Sequence, residues 1–393
     1  MEQLKTSKMR IGIEAQRLFR PHKHGMDRVA LELIKKLQVI DKDNEYFIFV
    51  KPDQDTSAIS ETSNFNIVEI SGGPYPYWEQ IKLPLIASAY KCDILHCTSN
   101  TAPLYVKSPL VTTLHDIIYM EESVLKQITS KASWYQKIGN IYRRIIVNGV
   151  VKKSHCLITV SDFEKKNISG FFNEKTIKNI KTIHNGVSDH FLKSPDVIEL
   201  NKVKTKYNLP DQYMLHIANK DPRKNTKNVL KAFKGFLNTT NVDYKLVLLG
   251  YNEKDLLTAL SEINAKNLID KIDLLGYVSD QDLPAIYRLS QLFLFPSLRE
   301  GFGIPIIEAM ACGVPVITSN SSSMPEIAGD AACIVNPMES EAILQGILKI
   351  SSDSEYKNEL IRKGLERCEQ FSWDNMALQV LDVYKKMFNE IKA

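Results

Sequence analysis

Two glutamates, Glu300 and Glu308, bracket the stretch of this chain best suited to chemistry. Between them run Gly301, Phe302, Gly303, Ile304 and Pro305, directly after the apolar run LFLFPS at 292–297, which reads as a buried strand. Pro305 suits the opening of a helix, where its missing N–H costs nothing, and Gly313 suits a left-handed stop. The pattern predicts a short helix over 306–312 and a second buried strand at VPVITS. Backbone amides at a helix N-terminus just behind a strand collect anions and ligand oxygens. Glu308 would lie in the first helical turn, where the macrodipole favours a carboxylate by roughly 0.3–1 kcal/mol. Glu300 precedes a loop whose glycines, lacking Cβ, let N–H groups approach a ligand. Acceptors at both ends of such a loop suit a hydroxyl-rich ligand carrying negative charge, such as a nucleotide sugar. A capped helix with one solvated glutamate fits the spacing equally well.

Other candidates stand at strand ends. His115 closes the apolar run at 109–116, and residues 219–224 follow the strand YMLHIA. Lys224 falls at the start of the next helix, an electrostatically unfavourable place for a cation that an anion would relieve. A lone strand-end histidine is more often structural, and Ser161 reads mainly as a helix cap. No histidine or cysteine spacing suits a metal. Asp41/Asp43, Asp53/Asp55 and Asp280/Asp282 are D-x-D pairs, but all fall in polar turns and read as solvated loop acids. With no metal expected, cations and helix N-termini must stabilise any departing phosphate.

The elements that position these residues alternate: strands of four to seven residues with helices of ten or more, a rhythm of parallel sheets covered on both faces. The chain has 393 residues, 44% hydrophobic and 24% charged, and a net charge of +4. Two doubly wound α/β domains fit that length: residues 1–190, then a polar linker at about 187–205, then residues 205–372. Nucleic acid is not an expected partner at so mild a charge. Six scattered cysteines, none in a CxxC pair, read as buried thiols. A polar, lysine-bearing start suggests no signal peptide, and no apolar run reaches the ~20 residues of a membrane span. A cytoplasmic protein is expected, at most peripheral to the inner face of a membrane. Residues 124–153 carry seven basic residues and no acidic one, interleaved with aromatics. That segment fits either a helix on an anionic membrane or an ordinary domain helix with a basic outer face.

The E-x7-E spacing of Glu300 and Glu308, with FGIP between and EAMACGVPVI after, resembles retaining glycosyltransferases of family 4, which have the GT-B fold. SSSMPEIAGDAACIVNP, LHIANKDPRKN, LITVSDFEKKNI, IHNGVSDHF and TLHD resemble further blocks of that family, in its order. The resemblance implies two Rossmann-like domains facing a cleft, the first for acceptor and the second for nucleotide-sugar donor. It also implies a last helix, residues 373–393, that packs back on the first domain. Lys224 matches the family's phosphate-binding lysine and His115 its active-site histidine, which contacts the donor sugar. Glu308 would accept from ribose hydroxyls, and Glu300 would contact the sugar or support the leaving side. Amides of Phe302, Gly303 and Ile304 would face sugar and phosphate, and Gly25 would lie near the diphosphate. Many members carry an arginine before the lysine. This chain has Ala218 and Asn219 there, and Arg223 is the candidate second cation.

The function so implied is metal-independent transfer of a hexose, mannose from GDP-mannose being the candidate, to a glycan or lipid-linked glycan with retention. Front-face attack is expected, since no glycosidase-type nucleophilic carboxylate stands out. Two other readings remain open: a catalytically silent GT-B module acting as partner or scaffold, and a non-transferase such as a nucleotide-sugar epimerase.

Overall fold

The computed structural model describes residues 8–23, 25–121, 134–240 and 242–392, with backbone alone for 134–138 and 174. It divides into two compact units: residues 1–185 with 373–393, and residues 186–372.

In the first unit, β1 (Arg10–Glu14), β2 (Glu45–Val50), β3 (Phe65–Glu69), β4 (Ile94–Cys97), β5 (Leu110–Leu114), β6 (Cys156–Thr159) and β7 (Ile180–Thr182) form one sheet. Every pairing is parallel, in the order 3-2-1-4-5-6-7. β4, β5 and β6 are buried at every position, as expected of strands covered on both faces. In the second unit, β8 (Tyr213–Ile217), β9 (Lys245–Leu249), β10 (Ile272–Leu275), β11 (Leu292–Phe295), β12 (Val316–Ser319) and β13 (Cys333–Val335) are also all parallel. Their order is 10-9-8-11-12-13. Each sheet thus reverses direction once, between β1 and β4 and between β8 and β11. Loops diverge at such a point and leave a crevice beyond the strand carboxyl ends.

Five helices matter to the site: α1 (Gly25–Ile40), α2 (Trp134–Lys153), α3 (Thr226–Thr239), α4 (Ile304–Ala311) and α5 (Trp373–Lys392). The last of these belongs to the first unit. It buries Met376, Ala377, Val380 and Tyr384, and Lys36 of α1 reaches Asp374 at 2.7 Å. Three local expectations change. Residues 197–206, read as linker, form a helix of the second unit, capped by Asp196, whose carboxylate accepts from Glu199 N–H. Val203 on it is buried, and that side chain with its cap was the signal available. The helix expected over 78–90 opens with a π-helical turn, Trp78–Lys82, before Leu83–Ala89. Pro84 there has no N–H to continue an i→i−4 ladder. Asp41, expected to be solvated, is buried and accepts from Tyr46 Oη at 2.6 Å and Asn44 Nδ2 at 2.7 Å.

All six cysteines are free and buried. No helix among the described residues is long and apolar enough to cross a membrane.

Candidate functional site

In the second unit the reversal of strand order brings together residues that lie far apart in sequence. Lys224 follows β8 and Glu300 follows β11, and their side chains meet at 2.7 Å, Nζ to Oε1. Both are only about one-fifth exposed or less, at 20% and 16%. The ammonium also lies 4.8 Å from the centroid of Phe295, the last residue of β11. A cation over an aromatic face is held there by the ring's quadrupole.

Asn225 sets this geometry. It takes the left-handed conformation, φ 60°, which asparagine tolerates better than most residues. Its Nδ2 donates to the carbonyls of Pro296 and Pro337 at 2.9 and 2.7 Å. The turn bearing Lys224 is thereby fastened to the chain leaving β11. Lys224 itself closes a 3-10 turn, Pro222–Lys224, and α3 begins only at Thr226. The expectation that it opens the helix is corrected, and Glu300 supplies the negative charge that such a position wants.

The Glu300 loop is pinned from beneath by two serines. Ser322 Oγ and Ser323 Oγ donate to the Glu300 carbonyl at 2.6 and 3.0 Å, and Ser323 Oγ also reaches the Phe302 carbonyl at 2.9 Å. Arg299 donates to Glu300 O at 2.9 Å. Gly303 has φ 104°, a conformation that side-chain-bearing residues rarely adopt, and starts α4. No acceptor among the described residues takes the N–H of Gly303 or Ile304. These are the orphan donors of a helix start. Phe302 turns its ring inward, 4% exposed and 5.6 Å from Phe371, so only its backbone can serve a ligand.

α4 begins at Ile304, two residues earlier than expected, which moves Glu308 into the second turn. The macrodipole argument for it weakens accordingly. Glu308 is buried, 4% exposed, and accepts from Tyr287 Oη at 3.2 Å. Arg223 forks onto its neighbour Asp221, with Nε and Nη2 at 2.9 and 2.6 Å from one oxygen, which offsets much of its charge. Burial pushes the Asp221 carboxyl up, but the bonds and charge of Arg223, with the charge of Lys224, together hold it below the usual carboxylate range. Asn219 is exposed, and its Oδ1 accepts from Asp221 N–H at 3.2 Å. His216, missed in the sequence, is fully buried between Leu294 O at 2.8 Å and Thr226 Oγ1 at 3.2 Å. Burial pushes it down to about 4, so it braces β8 against β11 as a neutral ring.

In the first unit His115 follows β5 and is 7% exposed. Its Nε2 lies 2.9 Å from the Thr98 carbonyl and therefore carries the proton, which leaves Nδ1 as the acceptor. Burial lowers its pKa, so the ring is neutral. Its N–H donates to Asn100 Oδ1 at 2.6 Å. A cavity of about 20 Å³, room for one water, lies between His115, His96, Thr113 and Asn185. Gly25 is exposed at the start of α1, and a Cβ there would meet nothing within 4 Å. Nothing in the free chain demands glycine at that position. Ser161 caps the helix Asp162–Phe172, its Oγ accepting from Glu164 N–H at 3.1 Å.

The switch point of this unit holds residues that the sequence reading passed over. Glu14 ends β1 with no exposed surface, its Oε1 accepting from Gln16 N–H at 2.9 Å. Burial is the main cause that pushes its carboxyl up to about 7, helped by the Glu79 charge. Glu79, equally buried in the π-helical turn, accepts from Tyr75 at 2.6 Å, from Thr101 and Tyr142, and from Gln80 at 3.0 Å. β1 carries a charge at each end, and its sequence does not tell the buried Glu14 from the half-buried Arg10.

One acid of each D-x-D pair is engaged within the protein: Asp41 as above, Asp55 with Lys23, and Asp282 with Lys206 at 2.6 Å. Of the basic segment, 124–133 lies outside the described residues. α2 turns Val147 and Val151 into one core and Ile146 and Val150 into another, with Ile141, Ile145, Lys152 and Lys153 outside.

Solved proteins share this architecture. Sucrose-phosphate synthase of Thermosynechococcus elongatus matches with a TM-score of 0.74 at 18% identity, over 98% of this chain and all of that one. HepE of Anabaena, solved in complex with UDP-glucose, matches at 0.72 and 18% identity, over 96% of this chain and 100% of its own. Two parallel Rossmann-like units of this topology, shared with these proteins, make this a GT-B fold. The chain belongs to the glycosyltransferases of family 4 and group 1. The model for Glycosyltransferase Family 4 matches residues 24–191, and that for Glycosyl transferases group 1 matches residues 197–367. O-antigen chain mannosyltransferase B of Escherichia coli is 32% identical over 378 residues, 92% of this chain and 96% of that one. The protein is a hexosyltransferase.

Proposed function

We propose that this enzyme moves a hexose, mannose from GDP-mannose, onto a hydroxyl of a glycan or lipid-linked glycan during surface polysaccharide synthesis. The reading is carried by the Lys224–Glu300 pair at 2.7 Å beside the open N–H groups of Gly303 and Ile304. Kinship over nine-tenths of the chain with an O-antigen mannosyltransferase supports the sugar and the pathway. A relative in fold that binds UDP-glucose supports a nucleotide-sugar donor.

In this mechanism the bond between the anomeric carbon and the diphosphate oxygen breaks, and its electron pair leaves with the nucleoside diphosphate. Lys224 and the α4 amides stabilise that growing charge. Glu300 turns from its ion pair toward the sugar, and Glu308 accepts from the ribose. The acceptor oxygen attacks the face the phosphate is leaving, and its proton passes to the departing phosphate oxygen. Configuration is retained. His115, neutral, contacts the donor sugar, and Gly25 leaves space for the diphosphate. Asn219 and Arg223 border the donor at the β8 end. No metal takes part. Among the described residues no three His, Cys, Asp or Glu side chains cluster as metal ligands.

The test is transfer from GDP-mannose, UDP-glucose and ADP-glucose to a mannose-terminated oligosaccharide, with and without EDTA, followed by NMR of the new linkage. An α-mannosyl product formed in EDTA is expected. A β-linkage, an EDTA-sensitive reaction or a strict demand for a uridine donor would each overturn the corresponding part.

A further inference from the structure

The first unit has a second concave surface at the opposite ends of its strands. It takes in Leu110, which starts β5, and His155, which precedes β6, so it lies at the amino edge of the sheet. Glu14 and His115 follow the carboxyl ends and stand apart from it. The groove encloses about 800 Å³.

Its walls are apolar and its rim is basic. Ile81 and Leu85, one helical turn apart, point outward at 47% and 66% exposure. Tyr105 stands 83% exposed on the loop between β4 and β5. Lys107, Lys153 and Lys178 line the same groove, all exposed, with Lys153 5.7 Å from the Tyr105 ring centroid. No Asp or Glu lines it among the described residues. Beside it on α2, Ile141 and Ile145 are 38% and 69% exposed, and helical spacing puts Lys152 on their face.

We propose that this groove is a docking surface for an anionic lipid bilayer. Tyr105 and Leu85 enter the headgroup region, and the three lysines face lipid phosphates. Large exposed apolar side chains rimmed by polar groups mark a contact surface. An amphipathic aromatic beside aliphatics and lysines matches a bilayer interface. The cations also argue against a protein partner, because protein interfaces favour arginine and are depleted in lysine. Every lining cation here is lysine apart from the histidine. Outward leucine and isoleucine offer nothing to sugar hydroxyls, which argues against a glycan there. The basic segment 124–153 fitted either a membrane helix or an ordinary domain helix, and within its described part Tyr142 turns inward to Glu79. The groove adds residues outside that segment. Its purpose rests on the reading that the acceptor is lipid-linked, while its evidence is the groove itself.

The test is co-sedimentation of the full chain with phosphatidylcholine vesicles, with and without about a third phosphatidylglycerol, at low and high salt and without donor or acceptor. Binding to the anionic vesicles alone, released by salt, is expected. Each surface lysine strengthens such binding about fivefold, so Lys107→Ala with Lys178→Ala weakens it about 25-fold. Leu85→Ser with Tyr105→Ser weakens it independently, and Lys231→Ala with Lys254→Ala, in the second unit, leaves it unchanged. All these side chains are exposed, and transfer to a soluble acceptor stays at wild-type level, which shows that the variants are folded. No binding at low salt overturns the proposal, as does equal binding by the groove variants. Groove variants that alter self-association but not vesicle binding would make the face a protein interface and also overturn it. Because vesicle binding is read without substrates, its failure leaves the transferase reading standing, and the reverse holds too.

Discussion

The two switch points share a topology and differ in chemistry. Beyond β8 and β11 stand a lysine and a glutamate, partly exposed and oppositely charged, beside amides with no acceptor among the described residues. Beyond β1 and β4 stand the buried Glu14 and, close enough to repel it, the buried Glu79. Neutral donors bond to both, and the Arg17 charge acts on Glu14 from nearby. The same βαβ backbone thus sets a cation beside open amides in one unit and a buried, hydrogen-bonded knot in the other. The fold supplies the crevice, and the residues just past the strand ends decide its use. Only the charges beyond β8 and β11 suit a departing diphosphate, which supports the proposal that the donor binds to that unit.

The sharpest way to break this contrast is Lys224→Ala. Removing a preorganised stabiliser of developing charge costs about 10²–10³-fold in rate. A partly exposed ion pair adds only about 0–1 kcal/mol to stability. We expect kcat/KM for the nucleotide sugar to fall by that factor while the thermal midpoint barely moves. A loss under tenfold would remove the distinction between the two ends. Glu308→Ala should also abolish transfer, with some loss of stability, because it removes the buried bond from the Tyr287 hydroxyl.

Glu79→Ala is expected to do the reverse. It takes the shared acceptor from Tyr75, Thr101, Tyr142 and Gln80, which keep only their bonds to one another and to Ala102 O, and buried polar groups left under-satisfied cost about 1–3 kcal/mol each before relaxation. A total loss of about 3–5 kcal/mol in urea unfolding is expected, against about 1 kcal/mol or less for Glu300→Ala. Equal losses would mean that both carboxylates are structural.

A pH series reads the first unit directly. Glu14 titrates near 7 in the folded chain, against 4.5 for an ordinary glutamate. Between those values the unfolded chain has released the proton and the folded chain still holds it, so stability falls as pH rises. The fall ends above about pH 7 and amounts to about 3 kcal/mol over the window. Below pH 4.5 both states are protonated and this contribution is fully present. Glu14→Gln, which stays neutral, should lack the slope. Parallel curves for the two proteins between pH 5 and 7.5 would show that Glu14 is ionised in its site.

How legible this was depends on where the information lies. The alternation of apolar runs and amphipathic helices announced two parallel α/β units, because strands buried on both faces must be apolar throughout. The Glu300–Gly303 loop was legible too, since glycine and proline mark the backbone directly. Lys224 and Glu300 were both named, but their pairing depends on β8 lying next to β11, a property of sheet order. Asn225, Ser322 and Ser323 fix the loops through bonds to distant carbonyls, and no local pattern reports those. Glu14 and Glu79 escaped because a buried carboxylate and a surface one look the same in sequence. The start of α4 shifted by two residues, enough to move Glu308 a turn away from the dipole.

The smallest expected effect concerns the histidines that brace each sheet. His216 ties β8 to β11 within its own unit through a carbonyl and a threonine. His96 instead lies between Thr113 of β5 at 2.8 Å and Tyr384 of α5 at 2.6 Å, joining the sheet to the chain's last helix. Burial pushes His96 down to about 3, so it is neutral and needs one donor and one acceptor, roles that the two hydroxyls can share. Tyr384→Phe removes one of them and strands Nδ1 in the core, a cost of about 1–2 kcal/mol. If α5 is held to the sheet through this bond, hydrogen exchange should quicken in β4, β5 and α5 and stay unchanged in β8 and β11. Faster exchange throughout both units would show that Tyr384 acts through global stability and that the His96 link has no local role.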